Sequence, residues 1–222
     1  MNTWRVAHDP LPLISIPESG YYHNYWEIQA NRYFSVGRIF CGGSVWPTTM
    51  NLLLPIIKVP IGIINVAIDS TPIESWLPDK SLFNTLVEVC KRVGNYRAIL
   101  WQHGESDVIA NTEKETYKQR LILIKNSLED NLHIKRDWIL AKSTIHPTVY
   151  IKPQEEMEIR SAINELWDIE GFFPGPDTDV LDGENRAGKT HSRHFSLIGQ
   201  RRAGAMWFAV LWNHLSKRPD FP

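Results

Sequence analysis

Val59-Pro60-Ile61-Gly62-Ile63-Ile64-Asn65-Val66-Ala67-Ile68 is a nearly continuous apolar run rich in β-branched residues. A run of this kind, without polar alternation, is expected of a strand covered on both faces, as strands of parallel sheets are. The next segment supports that reading. Ser81 to Val93 places Leu82, Leu86, Val89 and Val93 on one helical face, Gly94-Asn95 closes the helix, and Ala98-Ile99-Leu100-Trp101 forms a second apolar run. Two parallel strands need a crossover, and this helix supplies one.

The alternation continues towards the C-terminus. Thr112 and Glu115 have the spacing of a capping box, ahead of a helix carrying Tyr117, Leu121, Ile124 and Leu128. Trp138-Ile139-Leu140-Ala141 is the third expected strand. Pro153 opens a helix to about Trp167 that aligns Ile159, Ile163 and Leu166. After a loop dense in Gly, Pro and Asp, Ser196 caps a last helix from about Leu197 to Leu215. The first forty residues, with Pro10, Pro12, Pro17 and Gly20, show neither period. No repeat, low-complexity tract or Gly/Ser-rich linker divides the chain, so one α/β domain over residues 1–222 is expected. Strands alternating with helices predict right-handed crossovers and a three-layer α/β/α arrangement.

Composition narrows the function. The 222 residues are 43% hydrophobic, enough for a sizeable core, and 24 basic residues nearly balance 25 acidic ones. That balance offers no broad attraction to nucleic acid or an anionic membrane, and suits a neutral or weakly charged small substrate. Cys41 and Cys90 lie far apart without metal-ligand spacing, so both are expected as small buried hydrophobes, with no disulfide framework and no zinc site. Met1 to Val6 lacks the apolar core of a signal peptide, and no apolar run reaches the roughly 18 residues that span a bilayer. The chain as written is expected to be soluble and cytoplasmic, or secreted or periplasmic if a signal peptide precedes it. Nine Trp suit a large core and a sugar-binding cleft alike.

Working residues in such sheets gather in loops at the carboxyl ends of the strands, and three polar segments fall there. Trp101-Gln102-His103-Gly104-Glu105-Ser106-Asp107 follows the second run; its alternative is a capped loop in which Glu105 and Asp107 accept backbone N–H bonds. Asp69-Ser70-Thr71-Pro72-Ile73-Glu74-Ser75-Trp76-Leu77-Pro78 follows the first, as an oxyanion-binding turn or an ordinary one. Thr190-His191-Ser192-Arg193-His194-Phe195-Ser196 precedes the final helix. A histidine there suits a general base; structural roles come second, and metal ligation by His191 and His194 third.

Together these segments resemble the sialate O-acetylesterase and acetylxylan esterase branch of the Ser-Gly-Asn-His hydrolases. Val59-Pro60-Ile61-Gly62 matches the family's V-P-x-G, and Ser70-Thr71-Pro72-Ile73-Glu74-Ser75-Trp76 its G-G-T-x-I-E-x-W or G-S-T-x-I-E-x-W turn. Trp101 to Asp107 matches W-x-Q-G-E-S-D. Gly175 to Asp179, Arg186 and His194-Phe195-Ser196-Leu197-Ile198-Gly199 match G-P-D-T-D, an arginine and H-F-S-x-x-G. Gly43-Ser44-Val45-Trp46-Pro47 is similar to the segment ahead of the V-P-x-G strand, so the likeness runs from about residue 40 onward. It implies a flavodoxin-like parallel sheet and O-deacetylation of a carbohydrate through a serine acyl-enzyme, without metal or organic cofactor. His194 is implied as the base and Glu105 as the orienting acid, with Thr71, Gln102, His103 and Gly104 around the oxyanion and substrate. The implied partner is an acetylated carbohydrate.

The chain departs from the family in four places. No G-x-S-N nucleophile block is present, and Trp4 to Pro10 already resembles the W-x-x-A-x-D-P stretch that usually follows it. The expectation is therefore an N-terminally incomplete domain without its first strand and its nucleophile, or a catalytically inactive relic or carbohydrate-binding module. Asp69 replaces a turn glycine, where a carboxylate opposes oxyanion charge. His103 replaces a glutamine. His191 replaces the aspartate three residues before the histidine, which leaves Glu105, Asp179 or Asp182 to orient His194. Ser44 is the fallback nucleophile, although its match is to a non-catalytic stretch, and Ser106 is expected as a turn residue.

Overall fold

A computed structural model describes residues 21–22, 26–29, 44–58, 61–147, 149–186 and 194–218. Its elements in chain order are β1 (Tyr21–Tyr22), β2 (Trp26–Gln29), α1 (Trp46–Ile57), β3 (Gly62–Asn65), α2 (Ser81–Val93) and β4 (Ala98–Gly104). There follow α3 (Glu105–Ile109), α4 (Lys114–Leu132), β5 (Asp137–Ser143), α5 (Pro153–Leu166), β6 (Phe172–Asp177) and α6 (Leu197–Leu215). The chain has two compact units, one formed by Ile68–Val180 and the other by Met1–Ala67 with Leu181–Pro222. The class is α/β, with parallel strands flanked by helices.

The continuous unit is built on the parallel sheet β4-β5-β6. β5 is its middle strand, and Trp138, Ile139, Leu140 and Ala141 are at most 1% exposed, as an apolar run without alternation predicts. Against them pack the anticipated helical faces, Tyr117, Leu121, Ile124 and Leu128 of α4 and Ile159, Ile163 and Leu166 of α5, all buried. Each large side chain contributes about 1.5–3 kcal/mol on burial. In α2 the buried face is Phe83, Leu86, Val87 and Cys90, rotated from the expected Leu82, Leu86, Val89 and Val93; Val93 is 37% exposed. Cys90 is a buried free thiol, as its residue type suggests.

Two further expectations are corrected here. Thr112 does not cap α4: the N-cap is Glu113, without a side-chain cap bond, and the Thr112 hydroxyl donates 2.9 Å to Asp107 instead. The supposed loop 172–177 is the strand β6. Pro174 and Pro176 disguise it in the sequence. They are tolerated because, among the described residues, β6 lies at the edge of its sheet, where a missing N–H breaks no ladder bond. Gly175 lies against Leu140, whose carbonyl carbon and oxygen are 2.5 Å from where a Cβ would sit, so the strand approach itself demands glycine.

In the other unit β2 pairs antiparallel with β1 and parallel with β3, from Trp26↔Gly62 to Gln29↔Asn65. β3 covers only the centre of the run quoted first; Val59 and Pro60 lie outside the described residues, as do Trp4 to Pro10, Cys41 and Gly43. β3 and β4 belong to separately hydrogen-bonded sheets. α1, which the sequence reading did not anticipate, packs on α6. Thr49 Oγ1 donates 2.9 Å to the Gly204 carbonyl, and the Trp46 and Trp207 rings are 5.5 Å apart. A Cβ on Gly204 would stand 2.5 Å from the Val45 carbonyl oxygen, so glycine is what lets these helices approach. Among the described residues no helix is long and apolar enough to cross a membrane.

Candidate active site

The register Gly104↔Ser143 brings the carboxyl ends of β4 and β5 level. Gly104 makes the strand-to-helix turn at φ +152°, and a Cβ there would meet the Ser143 carbonyl oxygen at 2.7 Å. Only glycine turns the chain here. The turn delivers Glu105 as the first residue of α3, where its charge suits a helix N-terminus. Glu105 Oε1 accepts 2.7 Å from the Ser143 hydroxyl, and Gln102 Nε2 reaches the same hydroxyl at 3.5 Å. Tyr150 donates its hydroxyl to the carbonyls of Thr144 and Glu105, tying the loop after β5 to the start of α3. Glu105, Gln102 and Ser143 thus form one polar group at the end of the sheet. Ser143 and Tyr150 were missed in the sequence; a serine closing a buried strand beside the G-E-S-D turn was the available signal.

His103 points to the other side of β4, against Trp101 and Tyr117. Its Nε2 lies 2.8 Å from the Thr71 carbonyl oxygen, which requires the proton on Nε2. Its Nδ1 faces the Tyr117 hydroxyl and Asp107 Oδ2, each at 3.4 Å. Burial pushes the His103 pKa down, opposed by Asp107 and by the Thr71 bond, so the ring is neutral near pH 7. The Nε2 proton expected to face an oxyanion is therefore committed to the Thr71 carbonyl.

Asp107 is fully buried, and burial pushes its carboxyl pKa up. Its Oδ2 accepts 2.9 Å from the Ile73 N–H and its Oδ1 2.9 Å from Thr112. For Asp107 the capped-loop alternative describes the structure; Glu105 takes a hydroxyl instead. Thr71 donates its hydroxyl 2.8 Å to the Ile68 carbonyl and accepts 3.1 Å from the Trp76 indole, so that hydroxyl also serves the turn. Ser70 adopts φ +60°, a left-handed conformation that suits the glycine alternative at this position. Asp69 beside it is exposed.

Asp179, considered for orienting His194, is engaged elsewhere: it accepts from Thr144 N at 2.7 Å, Thr144 Oγ1 at 2.6 Å and Ile145 N at 3.2 Å, and pairs with Arg160. Arg160 also grips both oxygens of Asp177, at 2.9 and 2.6 Å. The G-P-D-T-D motif is thereby a brace between β6, the β5 exit and α5. Beside it an open cleft of about 340 Å³ is lined by Ile145, Pro153, Glu156, Met157, Arg160, Asp179 and Val180.

In the other unit His194 is half-buried and leads into α6. Its segment is fixed at once beyond it. Arg186 and Phe195 form an antiparallel bridge, with the guanidinium 4.5 Å over the Phe195 ring and Arg186 Nε donating 2.7 Å to the Leu181 carbonyl. Ser196 caps α6 as the sequence predicts, accepting 3.1 Å from Gly199 N and donating 2.6 Å to the Glu184 carbonyl. Gly199 sits so close to Asn185 that a Cβ would meet its carbonyl oxygen at 2.0 Å. Asp182 lies on the facing segment, exposed. His191 lies outside the described residues. Ser44 accepts 3.2 Å from Trp46 N at the start of α1, a capping role, and Ser106 sits in the first turn of α3.

A family model described as carbohydrate esterase, sialic acid-specific acetylesterase, matches residues 1–213. A crystal structure of an Arabidopsis thaliana protein is similar with a TM-score of 0.58 at 20% identity, covering 79% of this chain and 68% of that one. At that identity the likeness is one of fold. No curated protein matches the chain.

Proposed function

The chain belongs to the sialic acid-specific acetylesterase family of carbohydrate esterases, and from that membership we propose that it removes O-acetyl groups from carbohydrates through a serine acyl-enzyme. The observation that carries the reading is the polar group at the end of the sheet, Gln102, Glu105 and Ser143, delivered by the Gly104 turn. Open α/β sheets bind ligands at that edge. The His194 imidazole takes the proton of the serine hydroxyl as its oxygen attacks the acetyl carbonyl. The same proton then goes to the departing sugar oxygen, and water deacylates the serine by the reverse relay. Oxyanion charge falls to backbone N–H groups of the Ser70–Thr71 turn, since the His103 Nε2 proton and the Thr71 hydroxyl are both engaged. Glu105, Gln102 and Gly104 shape the substrate side. Of the three acids considered for His194, Asp182 shares its compact unit, while Asp179 is closed by Thr144 and Arg160. The serine would come from a G-x-S-N block, which these 222 residues do not contain.

Acetate release from O-acetylated sialic acid and from acetylated xylan, by a preparation of this polypeptide that also carries a G-x-S-N segment, tests this reading. Turnover that falls roughly a hundredfold or more in His194→Ala supports it, and mapping a fluorophosphonate adduct identifies the serine. No release, or release indifferent to His194, overturns it. A second reading, a non-catalytic carbohydrate-binding module, is favoured by the exposed Asp69 carboxylate beside the turn. Calorimetric binding of glycans with neither turnover nor labelling would establish it.

A further inference from the structure

We infer that His103 and Asp107 act together as a latch that sets the geometry of the Ser70–Trp76 turn, a positioning role that rests on reading that turn as the oxyanion site. The two residues stand four apart in sequence where β4 passes into α3, and their side chains hold the turn on either side of Pro72. His103 Nε2 donates to the carbonyl of Thr71, 2.8 Å away, and Asp107 Oδ2 accepts from the N–H of Ile73 at 2.9 Å. Pro72 itself has no N–H, and its ring fixes φ at −73°. The hinge between the two anchors is thus stiff, so fixing its ends fixes the peptide planes of the turn.

The turn's own bonds, Thr71 to Ile68, Trp76 to Thr71 and Ser75 N to the Pro72 carbonyl, are local and would survive a rigid displacement of the whole turn. Apart from the Arg120–Glu74 ion pair on the exposed side, the hydrogen bonds that tie the turn to another element among the described residues are those from His103 and Asp107. Water does not compete there, because the His103 side chain is 14% exposed and that of Asp107 is 0%. Asp107 is anchored in turn by Thr112, and the His103 ring is held between Trp101 and Tyr117. Histidine at this position thereby directs a side-chain N–H at the Thr71 carbonyl.

Amide hydrogen exchange followed by NMR on the full chain tests the latch at Ile73, with the α4 amides of Leu121 and Ile124 as internal reference. His103→Phe keeps a ring but removes the donor; Asp107→Asn places an NH2 where one of two donors must be accepted. Both are expected to speed Ile73 exchange on the order of tenfold, leaving Leu121 and Ile124 unchanged, whereas His103→Gln stays within about threefold of the parent. Where the chain releases acetate, kcat falls with KM retained in the Phe and Asn variants and recovers in the Gln variant. Unchanged Ile73 exchange, equal loosening at Leu121 and Ile124, or a Gln variant as impaired as the Phe variant would each overturn the latch. Because exchange needs no turnover, a preparation carrying the G-x-S-N segment that releases no acetate defeats the esterase reading and leaves the latch decided on its own.

Discussion

Gly104 carries more constraint than any other single position in the turn after β4. Its φ of +152° and the 2.7 Å approach of the Ser143 carbonyl oxygen leave no room for a methyl group. Gly104→Ala is expected to destabilise the fold by about 3 kcal/mol, as backbone strain and overpacking add, which a denaturant titration measures. Ser143→Ala tests the neighbouring contact. It leaves Glu105 Oε1 without the hydroxyl now 2.7 Å away and should cost about 1.5–3 kcal/mol, as for other hydrogen bonds to charged groups. In an active preparation kcat/KM should fall as well, since in the proposed reading Glu105 shapes the substrate side. At this scale the motif residues were legible because their types are chemically scarce. Their partners were not: nothing in the letters Ser143 or Tyr150 tells which strand end they will face.

Among the helices α4, α5 and α6 were legible, whereas α1 was not anticipated and the face of α2 was misread. α4 and α5 bury the residues their 3.6-residue spacing selects, and Ser196 caps α6. Ser196→Ala removes a cap and a bond to Glu184, with an expected loss of about 1–2 kcal/mol in thermal or chemical unfolding. The misplaced cap at Thr112 has a plain cause, for a buried carboxylate at Asp107 competes for the same hydroxyl. β6 was illegible because its prolines obey the rule for an edge, and the sequence does not say which strand is one. α4 and α5 are also clasped on their outer side, where Lys114 and Lys118 hold Glu165 at 2.8 and 2.6 Å. Those ammonium groups bring the Glu165 carboxyl from 4.5 down to about 2. A depressed folded value means the clasp stabilises above pH 4.5 and is lost as pH falls towards 2. Glu165→Gln should therefore melt below the parent at neutral pH, with the gap closing across that window in a series of melting curves.

The whole chain divides unevenly along its length. Ile68–Val180 is one continuous stretch that holds the parallel sheet β4-β5-β6 with helices on it, whereas the other unit joins chain segments more than a hundred residues apart. A polypeptide of residues 68–180 is expected to fold alone, giving dispersed amide resonances and cooperative unfolding; a spectrum typical of an unfolded chain would contradict this. The family was legible at this scale because several spaced motifs coincide. β6 has one more consequence, for assembly. The Gly171 carbonyl accepts from Trp138 N on the β5 side, so by alternation the ring nitrogen of Pro174 lies on the outer rim of the sheet. A rim stripped of donors cannot template another strand, which guards this margin against edge-to-edge aggregation while the chain is being made.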